Sequence, residues 1–477
     1  MDSWILIEGA TVIDGAGNAP LPETSVLING NRIASVGSEA TREAVPRDDQ
    51  LTVIDARGKT VMPGLIDAHC HISFGNTRTQ EEQDLYTSVE LRTLRSSVNA
   101  ERVLRAGVTG FSQPGGSYYI GVGIREGIRE GMINGPRVTS AGRFITTSNG
   151  ISDFYPELVG LPESSIGVLA NKKDDMLAEV RRQVKAGVDL IKLADSPFGD
   201  YQAFTSDEMK AVGELVHQLK RRVTIHARGS AEVDASVAAG FDWIMHGNDM
   251  TDETIERLAK SQTLLVPVLL LLANLADWGH LVGTPPRERD GAARLLEKTA
   301  DTLHRAHRAG VRFGVGTDTG FAVTPYGEWH ARELELMMEY AGLSELEAIQ
   351  AATKNNALVL GLEGQVGEIA PGMLADLLVV TKDPARDIRV LQDKRNLEVI
   401  IKDGTIVEFD ARSLVARPFD RAIVYSTGDL TWDVVHGDGR SAGDPRLDTL
   451  FANDEGKELA RDLKKRERAA AEHTPTA

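Results

Sequence analysis

The sequence predicts an α/β fold, a (β/α)8 TIM barrel with a small β-sandwich domain built from both chain ends, on three observations. Between residues 61 and 365 short apolar runs alternate with longer, charged stretches of helical period, the pattern of βα units around a parallel sheet. Both ends of the chain instead carry Val- and Ile-rich runs broken by Gly, Asn and Asp. The 477 residues exceed the roughly 250 of one barrel by enough for insertions and a small second domain.

In chain order, WILIEGATVID, SVLINGNRIASVG and LTVIDARGKTV supply the first sandwich strands, within 1–60 and its junction with the barrel. Eight barrel strands follow in 61–365. They are VMPGLIDAHCHI (61–72), GVTGFSQ (107–113), RVTSAGRFI (137–145), DLIKLA (189–194), VTIHA (223–227), WIMHG (243–247), LLVPVLLLL (264–272) and RFGVGTD (312–318). Helical stretches such as DDMLAEVRRQVKAG, SDEMKAVGELVHQLKR and ARLLEKTADTLHRAHRAG lie between most of them. QVGEIAPGMLADLLVV and LEVIIKDGTIVEF return to the terminal texture and complete the sandwich over 366–409. Residues 410–477 form an extension of unassigned structure, in which DEGKELARDLKKRERAAAEH reads as a charged surface helix.

Lys+Arg 53 against Asp+Glu 70 leave a net charge of −17, a field that disfavours nucleic acid and anionic membrane as partners. One cysteine, Cys70, excludes an intrachain disulfide and a cysteine-based zinc module and fits a reducing compartment. The start MDSWILIEGATVIDG lacks the pattern of a signal peptide, and VPVLLLLANLADW is interrupted by Pro267, Asn274 and Asp277. A cytoplasmic protein is expected.

Four histidines, a lysine and an aspartate fall at the ends of the proposed strands. His69 and His71 close the first; a spacing of two places both imidazoles on one face, where they could share a metal. Lys192 lies late in the fourth, His226 in the fifth, His246 in the sixth, and Asp318 ends the eighth. In a barrel, the carboxyl ends of the strands converge on the active site. Each residue alone has an ordinary reading: a hydrogen-bonded histidine pair, a lysine paired with an acid, a histidine on a backbone carbonyl, an aspartate at a helix N-cap. All of them at strand ends favour one metal site.

These motifs, PGL then DAHCH, IKLA, TIHA, IMHG and GVGTDTG, followed by PGMLADLLVV, resemble the metal-dependent amidohydrolase superfamily over about residues 4–407. The resemblance is to its imidazolonepropionase-like and Xaa-Pro dipeptidase-like branch. It implies a binuclear site for two divalent metal ions, with zinc preferred. His69, His71 and Asp318 would hold one ion, His226 and His246 the other, and a CO2-derived carbamate on Lys192 would bridge them. An ammonium has no lone pair, whereas a carbamate offers two oxygens. Two such ions would hold a bridging hydroxide that attacks an amide carbonyl, with Asp318 as catalytic proton carrier to the leaving nitrogen.

The loops after the strands shape the substrate side. Tyr118 and Tyr119 follow the second strand, Arg228 follows His226 by two, Trp278 and His280 follow the seventh, and Tyr326, Trp329 and His330 follow the eighth. Arg228, Tyr118, Tyr119, Tyr326 and His330 are the expected substrate contacts, with Arg228 able to hold a carboxylate bidentately unless a loop acid claims it. Members of the branch often carry Gly-Gly-His after the third strand, where this chain has Ser148-Asn149-Gly150. QPGGSYYIGVG lacks a P-loop's spacing and lysine and reads as a loop over the site. His217, His304 and His307 read as outer-helix residues, and Cys70 as a packing residue.

The expected function is hydrolysis of a C–N amide bond in an N-acyl amino acid or dipeptide with an apolar group. The alternatives are a carbamate, urea-type or cyclic amide substrate, and, in another class, a barrel kept as a non-catalytic scaffold. A deaminase fits less well, because such relatives typically use one metal and lack the strand-four lysine. The expected partners are a small-molecule substrate and further copies of the chain, the latter on family analogy alone.

Overall fold

The computed structural model describes residues 3–77 and 79–409, with Leu430 and Val435. The expected charged helix near the C-terminus, His436 and His473 lie outside the described residues.

Seventeen strands are found among the described residues. The first five are β1 (Ser3–Val12), β2 (Leu21–Asn29), β3 (Arg32–Val36), β4 (Gln50–Asp55) and β5 (Thr60–Pro63). They join β15 (Leu377–Val380), β16 (Leu397–Lys402) and β17 (Thr405–Ile406) in one eight-stranded sheet, order β17-β16-β15-β5-β1-β2-β3, with β4 also paired to β1. The first and last of the described strands thus meet in one sheet. Strand period explains how it packs: Ile5 and Ile7 enter its main cluster, while Leu6 turns to the other face with Leu27 and Ala40. In β15, Leu377 and Val379 join the sheet's own cluster, whereas Leu378 and Val380 enter the largest core of the molecule.

Between these ends lie two parallel sheets. One runs β6 (Leu65–Asp67), β7 (Val108–Gln113), β8 (Arg137–Ser140). The other contains β9 (Phe144–Thr146), β10 (Gly167–Leu169), β11 (Leu190–Ala194), β12 (Arg222–Gly229), β13 (Trp243–Asp249) and β14 (Leu264–Val266), in the order β10-β9-β11-β12-β13-β14. The helices that position the site are α1 (Gln80–Leu85), α2 (Val89–Arg105), α3 (Ile120–Arg129), α4 (Lys173–Lys185), α5 (Ser206–Gln218), α6 (Ser230–Ala238), α7 (Asp252–Ala259), α8 (Leu270–Trp278), α9 (Pro286–Arg308) and α10 (Arg332–Ala341). Their ends carry the expected signals: Thr205 and Glu208 form a capping box on α5, and Pro286 opens α9. No described helix is long and apolar enough to cross a membrane.

Four of the expected strands differ in detail. The run 61–72 divides at Gly64, where any Cβ would meet Thr109 Oγ1 at 2.1 Å. Thr60–Pro63 therefore belongs to the terminal sheet and Leu65–Asp67 to the parallel one, and His69 and His71 lie just past the strand. The run 137–145 divides into β8 and β9, in separate sheets. The run 264–272 is strand only to Val266, because Pro267 has no N–H and Val268 adopts φ +60°, after which Leu270 begins α8. The run 312–318 forms no continuous ladder. It is tied on one side by Leu265 N–H to Arg312 O and Gly314 N–H to Leu265 O, and on the other by Ala68 N–H to Val315 O (2.9 Å) and His71 N–H to Thr319 O (2.8 Å). Asn356 completes that second side: its Nδ2 donates to Ile66 O (2.6 Å) and Val315 O (2.7 Å), and its Oδ1 accepts from Val315 N–H (3.2 Å).

Candidate metal centre

The ends of β6, β11, β12 and β13 and the segment ending at Asp318 bring the sequence-predicted residues together. His69 Nε2 and His71 Nε2 lie 2.9 Å apart, and Asp318 Oδ1 is 3.4 Å and 3.2 Å from them. Each of these three residues offers a ligand atom within 4.8 Å of the others. Lys192 Nζ lies 3.5 Å from His69 Nε2. The His246 ring lies 5.6 Å from that of His69 and 4.3 Å from that of His226, centroid to centroid. All six residues are buried.

The close packing has local causes. Gly316 leaves room for His69, whose Cβ would lie 2.8 Å from any Cβ there. His246 (φ +80°) and Asp318 (φ +53°) occupy the left-handed region that residues with a Cβ rarely adopt, so strain is stored at two of the six positions.

Ring tautomers follow from hydrogen bonding. His71 Nδ1–H donates to Gly115 O at 2.6 Å, which leaves Nε2 as the lone pair. His226 bonds the backbone of Pro197, and its Nε2 has no partner. His246 Nε2 and His69 Nδ1 are also buried without one. Burial pushes His69, His226 and His246 well below the usual histidine range and lowers His71 too, so the imidazoles are neutral donors. Burial brings the Lys192 ammonium down to about 8, against the pull of Asp318. Burial would raise the Asp318 carboxyl, but His69, His71 and Lys192 outweigh it and hold it well below the carboxylate range. Buried polar atoms left unpaired, such as His69 Nδ1, His226 Nε2 and His246 Nε2, are costly. Neutral imidazoles with an ionised carboxylate are a donor set that a divalent cation satisfies. The residues fit a metal.

The amidohydrolase family pattern matches residues 60–407. The chain belongs to the amidohydrolase family. It is 27% identical over 432 residues to ochratoxinase of Aspergillus niger, covering 84% of this chain and 86% of that protein. Imidazolonepropionase of Geobacillus kaustophilus is 27% identical over 426 residues, covering 81% and 91%. A solved Xaa-Pro dipeptidase with methionine bound in its active site superposes with a TM-score of 0.74 at 29% identity, covering 85% of this chain and all of that one. This amidohydrolase is a metal-dependent hydrolase acting on carbon–nitrogen bonds.

Behind the centre stands a residue that strand patterning alone did not single out. Asp67 ends β6, buried, and accepts from His69 N–H (2.9 Å), Thr317 N–H (3.1 Å) and the Thr317 hydroxyl. It also accepts from His330 Nδ1–H at 2.8 Å, because Gly327 N–H donates to His330 Nε2 and fixes the tautomer. His330, expected at the substrate, therefore has both nitrogens engaged behind the ligands. The available signal was the aspartate two residues before His69 in an otherwise apolar run. His330→Ala is expected to weaken metal affinity ~10–100-fold with the fold retained, measured by chelator competition alongside circular dichroism.

Tyr326 is likewise structural in this amidohydrolase: its hydroxyl donates to His71 O (2.6 Å) and accepts from Gly75 N–H (3.0 Å). Tyr119 packs against the main core, and half-buried Tyr118 lies within electrostatic reach of Arg92 and Arg143. Trp329 is buried, whereas His280 is exposed. Cys70 is a buried core residue. The outer histidines have surface partners, His217 with Asp242 at 3.1 Å and His307 with Glu347 at 3.2 Å.

Arg228 borders the centre. Its Nη1 donates to Asn248 Oδ1 at 2.6 Å, and Asn248 is held in turn by Thr299. The Arg228 Nε is buried without a partner, and no carboxylate among the described residues pairs with the guanidinium. The neighbouring acid, Glu232, instead accepts from the backbone N–H groups of Arg228, Gly229 and Ser196, locking the loops after β11 and β12 together. Burial lowers Arg228 to about 10, offset by Asp318 and Glu232. Beside the ligands, Phe74 stacks on His71 at 3.9 Å, Phe321 meets Phe74 edge-on at 5.3 Å, and the Lys192 amine lies 5.6 Å over Phe144. With Ile151, Ile166 and Ala194 these rings form one apolar cluster.

Proposed function

We propose that the protein hydrolyses the amide bond of an N-acyl amino acid or dipeptide bearing an apolar group. One observation carries this reading: an arginine with no carboxylate partner among the described residues and a cluster of three phenylalanines border the same histidine and aspartate set. A substrate with a carboxylate at one end and an apolar group at the other satisfies both.

In this reading His69, His71 and Asp318 would hold one divalent cation, with zinc preferred, and His226 and His246 would hold a second. Lys192 would serve both as a carbamate, formed when its free amine adds to CO2 and releases a proton; an amine brought down to about 8 supplies the free base near neutrality. The cations supply an activated water near neutral pH and polarise the scissile carbonyl. Arg228 binds the substrate carboxylate through paired N–H donors and so fixes which carbonyl is presented. Asp318, whose Oδ1 faces His69 and His71, accepts the proton of the attacking water at Oδ2 and delivers it to the leaving nitrogen. The phenylalanine cluster excludes bulk water from that transfer.

The architecture proposed with it is a (β/α)8 barrel from Leu65 to about residue 365, closed by the 312–319 segment, beside a sandwich of residues 1–63 and 366–409. The protein works in the cytoplasm on a small molecule, as a homo-oligomer, with neither nucleic acid nor membrane as partner.

The test is a panel of N-acyl amino acids, their C-terminal amides, dipeptides, carbamates and ureas. Free acids are expected to be turned over best, and turnover confined to carbamates or ureas would overturn the reading. Arg228→Met is expected to lower kcat/KM for the free acids ~10–100-fold, mainly through KM, while leaving their C-terminal amides unchanged. Equal losses on both would remove Arg228 from carboxylate binding.

A further inference from the structure

Leu430 lies beyond the family match, which ends at residue 407, yet it is completely buried against the loop that follows Asp318. Its N–H donates to Ala322 O at 2.9 Å, and its carbonyl accepts from Trp329 Nε1–H at 2.7 Å. Its side chain fills a socket made by Val282, Val323, Trp278 and Phe321, together with Leu271 and Leu275 of α8. The same loop is held at Val323 O by Asn274 Nδ2–H (2.6 Å) and at Asp318 O by the Thr324 hydroxyl (3.0 Å). Leu430 thus supplies the donor to one carbonyl of a loop whose carbonyls at 318 and 323 are bonded by Thr324 and Asn274.

Phe321 belongs to two clusters at once. On one side it packs with Leu430 in the socket; on the other it meets Phe74, which stacks on His71. One ring is therefore the wall between the leucine socket and the apolar cluster at the metal ligands.

We propose that Leu430 is a specificity-determining residue: by filling the socket behind Phe321 it fixes how large an apolar group the substrate can carry. The loop assignment stands on the geometry alone, whereas the substrate consequence rests on the function proposed above. Alanine at 430 empties the socket and lets Phe321 retreat from Phe74, which enlarges the apolar side of the pocket without touching a metal ligand.

The experiment uses full-length, metal-loaded protein as wild type, Leu430→Ala, Leu430→Met and Trp329→Phe. The methionine variant refills the socket, and the phenylalanine variant removes the indole N–H donor together with part of the buried ring that packs on Trp278. Hydrogen exchange of residues 319–329 is expected to quicken at least ~10-fold in Leu430→Ala and Trp329→Phe and to stay near wild type in Leu430→Met. Metal content by elemental analysis is expected to be unchanged. The kcat/KM ratio for N-(2-naphthoyl)-glycine over N-acetyl-glycine is expected to rise ~10-fold in Leu430→Ala alone, through KM. Unchanged exchange would overturn the loop assignment, and lost metal or an unchanged ratio in an active enzyme would overturn the specificity role. If wild type turns over no N-acyl amino acid, the proposed function fails with the specificity role built on it, and exchange alone decides the loop.

Discussion

Lys192→Ala is expected to leave one metal ion or fewer per chain, against about two in wild type, and to lower kcat/KM by ~10³-fold or more. Lys192 Nζ sits 3.5 Å from His69 Nε2 in a site where the lysine is 3% exposed. An ammonium there faces a neutral imidazole with only Asp318 as counter-charge, a poor arrangement for a permanent cation and a good one for an amine that becomes a carbamate. Alanine offers no oxygen to either cation but keeps the β11 backbone, whose pairing with β12 runs from Leu190 to Ala194. The loss should therefore appear in elemental analysis with bicarbonate present, while far-UV dichroism stays that of wild type. One metal in both proteins would end the bridged reading and leave a mononuclear hydrolase or deaminase.

The second large effect is expected of Asp318→Asn, which should lower kcat ~10²–10⁴-fold with a smaller change in KM. Asparagine keeps the shape, and the bond from the Thr324 hydroxyl to the backbone carbonyl at 318 does not depend on the side chain. It removes the carboxylate whose Oδ1 faces His69 and His71 and whose Oδ2 would carry the proton to the leaving nitrogen. A substrate whose leaving group needs no proton, such as an activated phenyl ester, should lose much less than an amide. Equal losses on ester and amide, at equal metal content, would assign Asp318 to holding the cation alone.

The six ligand candidates were legible because short apolar strands expose their own ends, and polar residues with metal chemistry at those ends stand out against Val and Ile. His69, His71, Lys192, His226, His246 and Asp318 needed no knowledge of what lay between them. What was not legible depends on contacts distant in sequence. Nothing local announces that Gly64 must clear Thr109, so β5 and β6 read as one strand. Val268 and the leucines after it look like strand, and only the missing N–H at Pro267 hinted that α8 starts there. His330 follows Asp318 closely enough to suggest the pocket, yet its partner is Asp67, 263 residues earlier. Arg228 was read as a substrate contact from its spacing to His226, and only the structure shows that its neighbour Glu232 is committed to backbone N–H groups.

The junction between β6 and the 312–319 segment is closed by few backbone bonds and by the Asn356 carboxamide. His69 and His71 stand on one lip of that junction and Asp318 on the other. A cation shared by the three, as proposed above, would act as a rivet across that junction. Stripped of it, the protein would have a natural place to start unzipping; loaded, it would first have to release the ion. On the proposed metal centre, inactivation on heating and escape of the metal are expected to become a single kinetic event, with shelf life set by ion retention rather than by the quality of the core.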